Sequence, residues 1–259
     1  MSAPATTIDE VILQLTALVE DAATTHSRLG YFAALYNRVT MAVRDAMRAG
    51  RFDDNARMER LDVAFANRYL DAYNQMRAGH RPTLSWHVAF DAAGHADLSV
   101  LQHLVLGMNA HINLDLGIAA AGVAPGASIH ALAADFARIN DVLASLVPTV
   151  EAQLREISPD LNAVSSIGDL LGNLDDALGN FSIEEARDGA WRFAVRLAYI
   201  DSPLLRELAI GARDAVVAGI GAPFCLPGPL ADLLGGQDGS QVEANVRILA
   251  RDEQDTTPD

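Results

Sequence analysis

The longest apolar stretch of the chain, residues 98–123, is interrupted by hydrogen-bonding side chains. These are Gln102, His103, Asn109, His111, Asn113 and Asp115. A segment that faces lipid would not tolerate so many polar groups, so we expect a buried helix and no insertion into a membrane. Burying each group without a partner would cost about 1 to 3 kcal/mol. Water, a metal, a ligand or neighbouring helices must therefore satisfy them.

The rest of the chain has the periodicity of α-helices. The predicted helices cover residues 8–23, 29–49, about 53–77, about 86–92, and 128 onward to a break at 157–160. Asp53 or Asp54 is placed to cap the third helix, and Pro148 to kink the last. No alternating pattern indicates a strand. The sequence thus predicts an all-α, multi-helix bundle with a buried polar central helix.

The candidate site residues are concentrated in the first part of the chain. We expect a helical domain with the candidate site at 1–156, and a supporting or lid region at 157–250 that packs with it as one unit. Within that region, 165–180 is interrupted by glycine and predicts two short helices, while 182–205 and 205–218 have helical patterns. The residues 251–259 predict an acidic, disordered tail.

Composition limits the classes of partner. Of 259 residues, 34 are acidic and 19 basic, a formal charge of −15, which opposes binding to nucleic acid or to an anionic membrane surface. A small-molecule ligand or substrate is expected, and a homodimer is left open. The single cysteine, Cys225, cannot form an internal disulfide. With no signal peptide evident, we expect a cytoplasmic protein.

Three residues of the central helix suggest a metal site. On a helical wheel, His103 and His111 lie about 80° apart and Asp115 about 40° further round, so all three can point into one cavity. Imidazole and carboxylate are ligands of zinc, iron and manganese. Gly107, on the same side, leaves room for a group to approach the backbone. We therefore predict His103, His111 and Asp115 as metal ligands.

The third helix and the residues near it provide candidates for catalysis and substrate binding. Asp62 is a candidate general base or further ligand, with an ion pair to Arg38 or Arg68 as the alternative. Arg68 and Tyr69 are candidates for stabilising negative charge on a substrate. The predicted substrate-binding residues are Trp86, Asn109 and Asn113, although an aromatic residue such as Trp86 is more often part of a core.

Two short motifs resemble those of known enzymes. DDNARME, from Asp53, resembles the aspartate-rich motif of terpene cyclases, and NDVLAS, from Asn140, their second metal motif, although its serine is displaced by one residue. The resemblance implies a diphosphate lyase that uses magnesium. HINLD, from His111, looks like the His-x-x-x-Asp pair of the zinc phospholipase C and P1 nuclease class, which implies phosphoester hydrolysis but covers five residues.

A longer resemblance covers roughly the first 145 residues. RLGYFAALYNRVT, MERLDVAFANRYLDAY, WHVAF and LQHLVLGMNAHINLDLG together resemble an uncharacterised bacterial family, frequent in actinobacteria and known as a domain of unknown function. This resemblance implies a common helical domain and no established activity.

The leading hypothesis is a metal-dependent hydrolase, in which a metal-bound water attacks an ester or phosphoester. The same ligands are also compatible with iron and an oxidation. The alternative from another class is a metal-free helical protein that encloses a small-molecule or lipid-like ligand between apolar helix faces. A terpene cyclase-like lyase is the third hypothesis.

Overall fold

The computed structural model describes residues 3–159, 183–226 and 241–251, and in these ranges the chain is helical throughout, without a strand. The helices are α1 (Ile8–Thr24), α2 (Leu29–Arg48), α3 (Asn55–Arg77), α4 (Leu84–Ala92), α5 (Val100–Ala110), a π-helical segment (His111–Leu116), α6 (Gly117–Val123), α7 (Ile129–Ile157), α8 (Ile183–Ala198), α9 (Pro203–Gly221) and α10 (Val242–Ala250). The prediction of an all-α bundle is confirmed.

Side chains of the preceding residues fix where several helices begin. The Thr7 side chain accepts a hydrogen bond from the backbone N–H of Glu10 at the start of α1. Asp54, as predicted, caps α3 by accepting from the N–H of Arg57. Ser99 and Gln102 form a reciprocal capping box at the start of α5. Each contact satisfies N–H groups that the first helical turn leaves unpaired.

The C-terminal half differs from the prediction at one boundary. The predicted break at 205 is wrong, because α8 ends at Ala198 and Ser202 caps α9, which starts at Pro203. A serine followed by proline is a helix-start signal. Helix α10 was not anticipated. The two short helices predicted at 165–180, and the tail from 252 onward, lie outside the described residues.

The other helices surround a central helix, which is formed by α5, the π segment and α6. Helix α2 packs against α1 and α10, α8 against α6 and the π segment, and α9 against α4. The buried apolar residues form two clusters, one around Tyr31, Trp86 and Leu104 and the other around Met58 and Leu132. Helices α2 and α3 contribute to both clusters. The candidate site lies where these two clusters meet.

Two helical segments are long and apolar enough to cross a membrane, which is weak evidence by itself. In Val100–Val123, 89% of the most apolar window is buried inside the protein, as the polar residues of the central helix predict. In Pro203–Cys225, only 22% is buried. Helix α9 accordingly exposes Leu204, Leu205 and Leu208.

Candidate functional site

The central helix changes its geometry at the candidate site. It is α-helical to Ala110, π-helical over His111–Leu116 and α-helical again from Gly117. A π segment bonds i to i+5 and widens the helix, and such segments are frequent at functional sites. Here it contains His111, Asn113 and Asp115.

Gly107, one turn before the π segment, accommodates a protein side chain. A Cβ atom at this position would lie 2.4 Å from the ring of Phe32. The space that Gly107 leaves is therefore filled by the Phe32 ring, which packs edge-on against the His111 ring with 5.7 Å between centroids.

Asp115 is completely buried and is the anchor of the π segment. Its carboxylate accepts hydrogen bonds from Arg68 Nε at 2.8 Å and from Trp86 Nε1 at 2.7 Å. His111 Nδ1 lies 3.5 Å from the second of these oxygens. Burial alone would raise the pKa of Asp115, but the His111 hydrogen bond, the Arg68 charge and the Trp86 hydrogen bond bring it below its usual value. Asp115 is therefore an ionised acceptor.

The His111 imidazole is enclosed by aromatic rings. Phe65 stacks on it with centroids 3.6 Å apart, and Tyr36 packs edge-on at 4.4 Å. Burial lowers the pKa of His111, although the hydrogen bond and charge of Asp115 oppose the effect. The neutral ring donates Nδ1–H to Asp115, because an ionised carboxylate can only accept. Nε2 then carries a lone pair, and it has no hydrogen-bond partner among the described residues.

His111 lies on the wall of a cavity of about 650 Å³ between the two apolar clusters. The walls come from α2, α3, the central helix, α7 and the start of α8. The apolar lining includes Phe32, Leu35, Val39, Met58, Leu61, Phe65, Leu104, Ile112, Phe136, Ile139, Leu143 and Val150, and the polar lining is Tyr36, Asp62, His111, Asn140, Asp141, Glu151, Glu184 and Arg187. This volume falls within the usual range of small-molecule pockets, about 300 to 1,000 Å³.

Asp62 faces the same cavity from α3. It is 8% exposed, and its Oδ2 atom has no hydrogen-bond partner among the described residues. Burial, with a smaller contribution from the charge of Glu59, raises the pKa of Asp62 from 3.8 to about 7. The alternative of an ion pair is not supported, because Arg68 pairs with Asp115 and the Arg38 guanidinium donates to Gln153.

The three predicted metal ligands do not form one site. His103 is eight residues before His111, a rise of about 12 Å along a helix, and its ring packs near Tyr31. Burial first, and then the charges of Arg28 and His95, lower the pKa of His103 to about 3. In the ranges that the structure describes, no group of three or more histidine, cysteine or acidic side chains is arranged to hold a metal. The wheel angles had ignored the separation along the axis.

The remaining predicted site residues support the helix packing and do not line the cavity. Arg68 and Trp86 bind Asp115, and Tyr69 packs edge-on against Phe32 with centroids 5.1 Å apart. Burial also raises the pKa of Tyr69.

The two predicted amide residues bind the neighbouring helix α9. Asn109 Nδ2 donates to the backbone carbonyl of Val217 at 2.9 Å, and Asn113 Nδ2 donates to Asn109 Oδ1 at 3.1 Å. Arg213 Nε donates to the Asn113 carbonyl at 2.9 Å. The side chains of Asn109 and Asn113 are thus satisfied by neighbouring protein groups.

Comparison with known proteins identifies the family but not an activity. Residues 8–227 match the model of a family of unknown function, DUF5995. The chain belongs to this family. No curated protein and no solved structure shows significant similarity to it. Membership in DUF5995 confirms the resemblance found in the sequence and extends it well beyond the first 145 residues, while the function rests on the site.

The motifs that resemble terpene cyclases have structural roles in this DUF5995 chain. Asp54 caps α3, and Asp53 forms an ion pair with Arg138 at 2.7 Å. Asn140 accepts a hydrogen bond from Arg187, which also donates to the Phe136 carbonyl at 2.6 Å. These contacts give Asp53, Asp54 and Asn140 structural roles that need no diphosphate.

Sequence reasoning missed Tyr36, Phe65 and the α7 wall of the cavity. Their apolar character assigned them to the core, since an aromatic or aliphatic residue at helical spacing is the same signal in a core and in a pocket wall. Among the α3 residues that line the cavity, Asp62 alone was predicted as a site residue.

Proposed function

We propose that this protein binds an apolar small molecule inside the cavity between its two apolar clusters. The observation that supports the proposal is the combination of about 650 Å³ of largely apolar space with three buried polar atoms that have no hydrogen-bond partner among the described residues, Tyr36 Oη, Asp62 Oδ2 and His111 Nε2. Binding pockets typically combine an apolar lining with a few polar groups that orient the ligand.

The unpartnered atoms favour a ligand that also carries a polar group. A buried polar atom without a hydrogen bond costs about 1 to 3 kcal/mol, and Tyr36, Asp62 and His111 all line the same cavity. A ligand with a hydrogen-bonding group at one end and an apolar body would recover this cost. The remainder of the ligand would lie against the aliphatic side chains of α7 and the central helix.

The metal-dependent hydrolase receives no support from these residues. His111 Nδ1 is turned toward Asp115, whose two oxygens already accept from Arg68 and Trp86. His103 lies too far along the helix axis to join them. The binding function accounts for the same polar residues without a metal.

Titration with the neutral dye Nile red tests the proposal. The dye is expected to bind with a stoichiometry near one and to increase its fluorescence. Ile139 lines the cavity and is partly buried, so Ile139→Trp should fill the space and weaken dye binding by about tenfold or more. Leu13→Trp is the matched control, because Leu13 is 70% exposed on α1, and it should leave binding unchanged.

A second variant tests whether the dye binds in the cavity or on the exposed face of α9, where Leu208 is 61% exposed. Leu208→Glu should not reduce dye binding if the dye enters the cavity. Loss of binding in Leu208→Glu, with retention in Ile139→Trp, would overturn the proposal. Circular dichroism of each variant confirms that it is folded.

A further inference from the structure

Asp62 differs from the other buried carboxylates in the part of the chain that the structure describes. Asp115 binds Arg68, Trp86 and His111. Asp214 accepts from the backbone N–H of Leu84 and from the N–H and hydroxyl of Ser85, at 2.6 to 2.9 Å. Asp135 accepts from the Asp53 and Asp54 backbone, Arg57 and Arg138. Asp62 lines the cavity, and its Oδ2 atom has no hydrogen-bond partner among the described residues.

Two further polar atoms on residues that line the cavity have no hydrogen-bond partner among the described residues, His111 Nε2 and Tyr36 Oη, and both can accept a hydrogen bond. His111 Nε2 has a lone pair because Nδ1 carries the hydrogen that faces Asp115. Tyr36 and Phe65 add the faces and edges of aromatic rings close to the imidazole. A carboxyl group, an imidazole lone pair and aromatic rings together favour a donor with positive charge.

Most of the charged side chains that line the cavity are acidic. Four acidic residues line it, Asp62, Asp141, Glu151 and Glu184, against one arginine, Arg187. The guanidinium of Arg187 already donates to the Asn140 side chain and to the Phe136 carbonyl. The whole chain carries a formal charge of −15, which raises the local concentration of cations and disfavours anionic ligands.

We propose that the ligand is a cationic amphiphile, a protonated amine on an apolar body, whose ammonium group donates to Asp62 Oδ2 and His111 Nε2. This inference rests on the proposed binding function and specifies its ligand class. The ammonium supplies the counter-charge that Asp62 lacks, and the apolar body follows the wall formed by Leu104, Ile139 and Leu143. A fatty acid carboxylate would instead meet Asp62 as a like charge, and an alcohol would bring no charge.

Three ligands with the same alkyl chain test this choice. Dodecylamine, dodecanol and dodecanoic acid are titrated separately at pH 7.5, below their aggregation limits, against Nile red bound to the full-length protein. Dodecylamine should displace the dye at a concentration at least about tenfold lower than dodecanol, because hydrogen bonds between charged groups are roughly twice as strong as neutral ones. Dodecanoic acid should be the weakest of the three.

Asp62→Asn and Asp141→Asn identify which carboxyl group causes the preference for dodecylamine. Asp62→Asn keeps the shape of the side chain and should reduce the affinity for dodecylamine about tenfold, with little change for dodecanol. Asp141 lines the cavity but is exposed, so Asp141→Asn should lower the affinity for dodecylamine by less than Asp62→Asn does, because solvent screens its charge. Circular dichroism verifies that both variants are folded.

The outcomes separate this inference from the proposed function. Equal or tighter binding of dodecanol or dodecanoic acid, or an unchanged dodecylamine affinity in Asp62→Asn, would overturn the amine while leaving a binding cavity. If none of the three displaces the dye, and Ile139→Trp also binds it normally, both proposals fail.

Discussion

Nδ1 of His111 lies 3.5 Å from Oδ2 of Asp115, four residues further along the same helix, and both side chains are buried. The contact fixes the orientation of the imidazole, which lines the cavity. Arg68 and Trp86 also bind the Asp115 carboxylate. The orientation of the polar end of the cavity therefore depends on residues that do not line it.

Replacing Asp115 with asparagine should destabilise the protein. The asparagine amide has one oxygen that can accept a hydrogen bond from Arg68 or Trp86. Its NH2 group would face the other donor, which would lose its acceptor. Removing one partner of a buried ion pair costs about 3 to 5 kcal/mol, and we expect about 3 because Arg68 is 31% exposed. Urea denaturation measures the loss. Asp9→Asn, which removes an exposed partner of Arg48, should cost less than about 1 kcal/mol. Equal losses would contradict the anchoring role.

Asp62→Asn should stabilise the protein, most of all above neutral pH. The pKa of Asp62 is about 7 in the folded protein and 3.8 ordinarily, so between these values the unfolded chain loses a proton that the folded chain keeps. Stability therefore falls as the pH rises from about 4 to 7, by up to about 4 kcal/mol. Asn cannot ionise and removes this loss.

Thermal denaturation of the wild type and Asp62→Asn at pH 4.5 and pH 8 tests this expectation. The variant should gain more in melting temperature at pH 8 than at pH 4.5. Glu59 is the neighbouring charge that contributes to the raised pKa, so Glu59→Gln should give a smaller change in the same direction. A gain that does not depend on pH would indicate that burial of Asp62 is not the cause.

Gly107→Ala should destabilise the protein and weaken dye binding. The new methyl group would lie 2.4 Å from the Phe32 ring, which also lines the cavity, so the ring must move. Overpacking of this kind costs about 1 to 3 kcal/mol. Gly122→Ala is the matched control in the same helix, with nothing within 4 Å of the added carbon, and should be neutral or stabilising by up to about 1 kcal/mol. Chemical denaturation and Nile red titration of both variants provide the comparison.

His103 should make the protein sensitive to acid. Its pKa is about 3 in the folded state, against an ordinary 6.5, so the unfolded chain binds a proton first as the pH falls. The contribution of neutral His103 to the free energy of unfolding is complete above about pH 6.5 and is lost toward pH 3. The loss amounts to about 3 kcal/mol between pH 7 and pH 4. His103→Leu should reduce that loss, measured by denaturation at the two pH values. His80→Leu, at an exposed position, should not; the same slope in all three proteins would refute the assignment.

The helices were largely predictable because their signals are local. Apolar periodicity and caps such as Asp54 lie within a few residues of the boundary they determine. No helix was predicted at the position of α10, and the π segment was missed because its geometry depends on tertiary contacts. Asp115, for example, is held by Arg68 and Trp86, which are distant in sequence.

The candidate site was predictable only in part. The sequence correctly pointed to a helix whose polar groups are buried, and both His111 and Asp62 line the cavity. It did not show which polar groups are satisfied by the protein itself. Asn109 and Asn113 bind α9 or each other, and no local pattern distinguishes them from groups that face a ligand. The metal prediction relied on angles around one helix, whereas a metal site requires donors that converge at one point.

The walls of the cavity come from segments far apart in the chain, from Phe32 on α2 to Arg187 on α8. A fragment that ended at residue 156 would keep His111 and Asp62 but would lose the wall formed by Ile183, Glu184 and Arg187. The pocket is therefore complete only when α8 is packed in place beside α7 and the central helix. Substitutions at the start of α8 would reshape this wall and leave the His111 wall unchanged.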